Sequence, residues 1–241
     1  MDMTETNKIV ILVDAYSSGN GLAPEFNQQG YRCAHIQSRS NLPQKLLDSY
    51  QTDDFFINLL YAGNETIKQL ESYDIIAVVA GSETGIELAD RLAEVLGLPG
   101  NKTPSSPSRR NKYLMQESLR NSNLSHIPTH RLTNPDEAVR HAADLLKTYN
   151  KLVLKPADSA GTDSVFVCKT IEEVMTHATS LFKKSNQLNL KMKSLFYSPL
   201  SRVKSMLWIP LVTMGITRFV RYGKWAKAAT TASILSVSSQ S

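Results

Sequence analysis

Lys155 stands near the end of an apolar run and just before a loop of small residues, in VLKPADSAGTDSVFV at residues 153–167. A lysine there supplies a point charge, and the backbone N–H groups of a short Gly-containing loop between two strands can close over phosphate oxygens. The same residues also describe an ordinary hairpin with a surface lysine, and the local pattern leaves both readings open. Ser17, Ser18, Gly19 and Gly21 follow another apolar run and precede a helical stretch, where main-chain N–H groups can receive a phosphate or a carboxylate. A purely structural turn fits them equally. His35, His126, His130, His141 and His177 lack metal-ligand spacing, because His126 and His130 lie four apart but flank Pro128 instead of sharing a helix face. They read as surface or packing residues. Cys33 and Cys168 sit in apolar-alternating runs and read as small buried hydrophobes in a reducing compartment.

The elements that must position these residues follow from hydrophobic pattern. Lys8 to Asp14, KIVILVD, is a continuous β-branched run closed by an acid, as expected of a strand covered on both faces of a parallel sheet. A Gly-containing turn, a short helix to Gln29 and a strand from Tyr31 to Ile36 complete one βαβ unit. The pattern recurs at Asp74 to Ala80, followed by a polar Gly loop at 81–85 and an amphipathic helix from Ile86 to Leu96, with Gly97 as its stop. Strand, Gly loop and helix in that order predict an α/β, doubly wound sheet with its site at the strand C-termini. Pro99 to Ser108, PGNKTPSSPS, reads as a linker. A helix is expected over Arg109 to Arg120 with Tyr113, Met115 and Leu119 available for packing, then a helix opening at Asn134-Pro135 and running to Tyr149. A strand pair around Lys155 and a helix capped by a Thr170…Glu173 box close the series.

The 241 residues suffice for one or two domains, and 41% hydrophobic with 20% charged residues excludes collagen-like, wholly disordered and multi-span membrane classes. The net charge of +5 is unevenly placed. Residues 1–106 carry 7 basic against 14 acidic groups, 107–190 carry 12 against 8, and 191–241 carry 8 against none. Nucleic-acid binding would therefore rest on the tail alone, whose two Trp and two Tyr form no stacking pattern, so no such partner is expected. No secretory leader is expected from the polar Met1 to Asn7 and the short apolar run after it, and the chain reads as cytoplasmic. Met206 to Ile216 is interrupted by Pro210 and falls short of the roughly 20 residues of a membrane span, although its basic flanks leave surface association as a further reading.

Taken together, these segments resemble the ATP-grasp superfamily, and more narrowly the ATP-dependent carboxylate–amine ligases that join amino acids through acyl-phosphates. The resemblance covers residues 8–190. It implies a Rossmann-like pre-ATP-grasp domain at 1–106, the first and partial ATP-grasp α+β subdomain at 107–190, and an irregular basic tail at 191–241. In RRNKYLMQESL, Lys112 matches the family's phosphate-contacting helical lysine, and Lys155 matches the strand lysine used at the nucleotide phosphates and near the adenine. Ser159, Ala160, Gly161, Thr162 and Asp163 match its flexible Gly-rich loop. AGSETGIELADRLAEVLGLPGN, residues 80–101, resembles the last pre-ATP-grasp strand and helix and places Ser82 and Glu83 on the substrate side. The implied ligands are ATP and a small carboxylate or amino acid. No catalytic residue is assigned.

The family's magnesium site needs carboxylate ligands from a further subdomain. After Glu173 the remaining 68 residues hold no Asp or Glu. No metal residue is therefore assigned, and an incomplete ligase of weak or no activity is expected, with a non-catalytic small-molecule or partner-binding α/β module as the alternative. One reading of the tail is translation out of frame: shifted by one base, Met192-Lys193 and Trp208-Ile209 decode as Glu and Asp, returning acids where the tail has none.

Overall fold

The computed structural model describes residues 7–159 and 164–183 together with the strand segments 195–199, 207–213, 216–222 and 233–235. It divides into two units, Met1–Leu200 and Ser201–Ser241.

In the first unit, β1 (Lys8–Val13), β2 (Arg32–Gln37), β3 (Ile57–Leu60) and β4 (Asp74–Ala80) form a sheet in the order β3-β2-β1-β4. All its pairings are parallel. β1 is central because its apolar run can be covered on both faces. Ile9, Ile11 and Val13 join Ala34, Ile36, Leu88 and Leu92 in one core, while Val10 and Leu12 join Ala23, Cys33 and Phe55 in the other. Each aliphatic side chain so buried is worth roughly 1.5–3 kcal/mol over exposure, so a one-residue slip of β1 would forfeit several such terms at once. Helix α1 (Leu22–Gln28) follows β1, α2 (Gln44–Leu47) lies between β2 and β3, α3 (Asn64–Lys68) joins β3 to β4, and α4 (Ile86–Val95) follows β4. The expected α/β architecture is present. β3, α2 and α3 were not legible, since INLL alternates between half-buried and exposed positions and gives a weak signal.

The stretch expected to be a linker is instead folded. After a 3-10 turn at Thr103–Ser105, helix α5 (Ser106–Arg110) begins with Ser106 buried. The Ser106 hydroxyl donates to Asp90 Oδ2 at 2.6 Å, Asn101 donates to Asp90 Oδ1 at 3.3 Å, and Arg109 forms an ion pair with Asp90. A buried carboxylate on α4 thus fastens the segment, because leaving that charge unpaired would cost several kcal/mol. The single helix expected from Arg109 is broken: Asn111 is extended, and its side chain accepts from the N–H groups of Tyr113 and Leu114 to start α6 (Lys112–Asn121). None of the α6 side chains is fully buried; of the three available for packing, Tyr113 and Leu119 are half-buried and Met115 is exposed.

The second sheet is antiparallel, with β5 (His130–Leu132), β6 (Leu152–Pro156), β7 (Phe166–Cys168) and β8 (Leu195–Pro199) in the order β5-β8-β6-β7. Helices α7 (Pro135–Thr148) and α8 (Ile171–Phe182) cover one face, where Leu152, Leu154, Cys168 and Leu195 meet Ala138, Ala142, Val174 and Ala178. Asn134 and Thr170 cap the two helices by accepting from Glu137 N and Glu173 N at 2.9 and 3.2 Å. Both cysteines are buried and free, and burial pushes their thiols up to about 11. The stretch from residue 191, read as irregular, contributes β8 to this sheet. In the second unit, β9 (Leu207–Thr213), β10 (Ile216–Tyr222) and β11 (Ser233–Leu235) pair antiparallel in the order β11-β10-β9. Among the described residues, no helix is long and apolar enough to cross a membrane.

Candidate functional site

Strand alternation decides where Lys155 goes. Leu152, Leu154 and Pro156 are buried toward α7 and α8 while Val153 and Lys155 are half-buried, so Lys155 lies on the uncovered face of the sheet. Ser198 of β8, opposite Val153 in the register, lies on that face as well. Helix α6 brings Lys112 to the same place. Lys112, Met115, Gln116, Ile127, Thr129, Lys155 and Ser198 together line a cavity of about 120 Å³.

The N-terminus of α6 is fastened to the turn after β6 by three consecutive residues. Arg110 Nη2 donates to the Asp158 carbonyl at 3.3 Å, Asn111 Nδ2 donates to Asp158 Oδ1 at 2.7 Å, and Lys112 N donates to the Ala157 carbonyl at 2.9 Å. The Lys112 ammonium donates to the Ser159 carbonyl. Arg110 also reaches the first sheet, where its Nη1 meets Glu83 Oε2 at 2.7 Å.

Of the residues expected at the site, Lys112, Lys155 and Ser159 are therefore brought together: the lysines line one cavity and Ser159 is bonded to Lys112. Ala160, Gly161, Thr162 and Asp163 lie outside the described residues. Glu83 connects to the turn through Arg110, whereas the Ser82 hydroxyl shares a 2.9 Å hydrogen bond with Thr84, and neither lines the cavity. Arg110, Asn111 and Asp158 were missed. For Asn111 a signal existed, an Asn directly before a helical run, which is the residue type that caps helices. For Arg110 none did, because the partners of a buried guanidinium come from loops distant in sequence.

Burial lowers the Lys112 ammonium from the ordinary lysine range; Glu83 and Asp158 oppose that shift and Arg110 adds to it. Lys155 is lowered too, by burial first and then by Lys112. The two ammonium groups are partly stripped of water and repel one another, and a negative charge placed beside them would offset both penalties.

The loop after β1 has a different use. A Cβ at Gly19 would collide with the carbonyl of Gly81, and one at Gly81 would strike the backbone of Ala15, so these glycines let the loops after β1 and β4 touch. That backbone packing favours the structural turn over the anion cradle for residues 17–21.

No protein-family model matches the chain. It is 34% identical over 194 residues to dapdiamide A synthase from Enterobacter agglomerans, a match covering 77% of this chain and 44% of that protein. L-amino acid ligase from Bacillus licheniformis shares the fold with a TM-score of 0.62 at 14% identity, over 93% of this chain and 52% of that one. N5-carboxyaminoimidazole synthase from Aspergillus clavatus, solved in complex with ADP and 5-aminoimidazole ribonucleotide, gives 0.58 at 16% identity, over 94% and 56%. The chain spans about half the length of these relatives. The resemblance carried by residues 8–190 is upheld: the chain is similar in sequence to dapdiamide A synthase and shares its fold with L-amino acid ligase and N5-carboxyaminoimidazole synthase.

Proposed function

We propose that this chain supplies the nucleotide-binding and substrate-facing part of an ATP-dependent carboxylate–amine ligase acting on amino acids or other small carboxylates. The observation that carries it is the pair of desolvated lysines, Lys112 and Lys155, in one cavity beside the Ala157–Ser159 turn. In such a reaction a carboxylate oxygen attacks the γ-phosphorus of ATP and ADP leaves. The amine nitrogen then attacks the acyl carbon and inorganic phosphate leaves. The part these residues can play is to hold phosphate oxygens and offset their charge, the largest requirement of phosphoryl transfer. A cavity of about 120 Å³ suits a portion of a nucleotide, since whole small-molecule sites run to roughly 300–1,000 Å³. Residues 1–106 and 107–190 serve in this reading as the pre-ATP-grasp domain and the nucleotide subdomain, with Ser159 beside Lys112 on the phosphate side.

The described residues do not suit a magnesium ion: no three His, Cys, Asp or Glu side chains gather among them. Of the carboxylates nearest the lysines, Glu83 is held by Arg110 and Asp158 by Asn111. No step through a metal is derived.

Thermal unfolding with ATP tests the reading. A ligand held by the folded state alone raises stability by RT ln(1 + [ATP]/Kd), so millimolar ATP should raise Tm in the native chain and fail to do so in Lys155→Ala. No shift in the native chain, or an equal shift in Lys155→Ala, overturns it.

A further inference from the structure

Arg110 is only 8% exposed, and a buried guanidinium is tolerated only where its donors are met. Its two arms go to different sheets. One meets Glu83, in the loop after β4, and the other meets the Asp158 carbonyl, in the turn after β6. The next two residues, Asn111 and Lys112, grip Asp158, Ala157 and Ser159. A planar fork holds both loops in a fixed relative geometry, whereas an ammonium is a point donor on a flexible stem.

We propose that Arg110 is a positioning residue that couples the Glu83 side of the site to the nucleotide side, by holding the 157–159 turn against the N-terminus of α6. This rests on the nucleotide reading above only for its ligand. Arg110 touches no reacting atom. It presents Ser159 beside Lys112, and Glu83 fixes the direction from which the guanidinium approaches. Whatever engages the Glu83 carboxylate is thereby felt at the lysines.

The test is a double-mutant cycle on ATP affinity, with amide exchange as an independent arm. Arg110→Ala should weaken ATP binding about tenfold, the loss expected for charge-assisted hydrogen bonds, and Arg110→Lys should recover little of it. Glu83→Gln should weaken ATP binding about threefold in the native chain and have no effect in Arg110→Ala, because its influence passes through the guanidinium. Full recovery in Arg110→Lys overturns the proposal, since charge alone would then suffice. So does tighter ATP binding by Glu83→Gln in both backgrounds, the outcome of simple removal of a negative charge. The exchange arm uses no ligand: the Lys112 amide, bonded to Ala157, should lose protection in Arg110→Lys while amides of β1 keep theirs, and unchanged protection at Lys112 overturns the proposal. If the native chain binds no ATP, the nucleotide reading fails, and the exchange arm alone decides whether Arg110 holds the turn.

Discussion

Two short loops of small residues leave apolar strands in this molecule, and they are put to opposite uses. After β1, residues 14–21 include Asp14, two serines and two glycines. After β6, residues 157–159 are Ala, Asp and Ser. In the first loop the backbone itself closes the space: Gly19 packs on Gly81, Gly81 on Ala15, and Gly85 on the Val13 carbonyl. Asp14 is fully buried and accepts from the Ser38 amide at 2.7 Å and the Ser38 hydroxyl at 2.6 Å. In the second loop long side chains do the holding, and one of them, Lys112, also lines a cavity with Lys155. A glycine beside an apolar strand therefore does not by itself announce a phosphate cradle. What decides is whether another backbone comes close enough to need the missing Cβ or whether charged side chains converge on an open space.

The largest expected effect comes from breaking the first arrangement. Gly19→Ala places a methyl group against the Gly81 carbonyl, and neither partner is the mobile end of a side chain. Overpacking costs roughly 1–3 kcal/mol where side chains can shift, so a clash with backbone should cost at least about 3 kcal/mol. Urea unfolding of Gly19→Ala measures it. A loss below about 1 kcal/mol would show that the loops after β1 and β4 can separate and that the first loop has room for a ligand.

Acid should test the packing beneath the first loop, where Tyr16 meets His35, somewhat less strongly. His35 on β2 is 2% exposed, packed among the rings of Tyr16, Tyr50 and Phe55, and its Nε2 meets no hydrogen-bond partner. Burial lowers it to about 4. The unfolded chain takes up a proton below the ordinary imidazole value of 6.5, whereas the folded chain resists until about 4, so this contribution is complete above pH 6.5 and is lost as pH falls toward 4. Between about pH 7 and 4.5 the loss should be on the order of 2 kcal/mol. His35→Phe keeps an aromatic ring without the titration and should flatten that limb. An acid limb of equal size in His35→Phe would assign it elsewhere.

The sequence displays some of these features and conceals others, for physical reasons. The strands β1, β4 and β6 were legible because burial on one or both faces writes itself as apolar runs or strict alternation. That Lys112 and Lys155 meet in one cavity was legible only through the family resemblance of their two segments. β3 was not, since a half-covered edge strand carries little hydrophobic signal. Neither was the fastening of residues 99–108, because it depends on Asp90, an acid on the face of α4 that sequence pattern assigns to solvent. Arg110 was hidden for a related reason: its neighbours Arg109 and Lys112 suggest a solvated basic helix, and only the fold shows that two loops from two sheets meet at its guanidinium.

The smallest expected effect is the sharpest test of the contrast, because it concerns a glycine in the same loop as Gly19. Gly21 has φ −79°, ψ −7°, a conformation open to any residue, and nothing lies within 4 Å of a Cβ built there. Gly21→Ala should thus remove disorder from the unfolded chain without strain in the folded one, a gain of up to roughly 1 kcal/mol that the loss of a glycine at the helix N-cap reduces by a few tenths. A net rise of about 0.5 kcal/mol is expected, with the ATP-induced shift in Tm unchanged. If Gly21→Ala instead abolishes that shift while the protein stays folded, the amides after β1 bind the nucleotide, and the division of labour between the two loops is wrong.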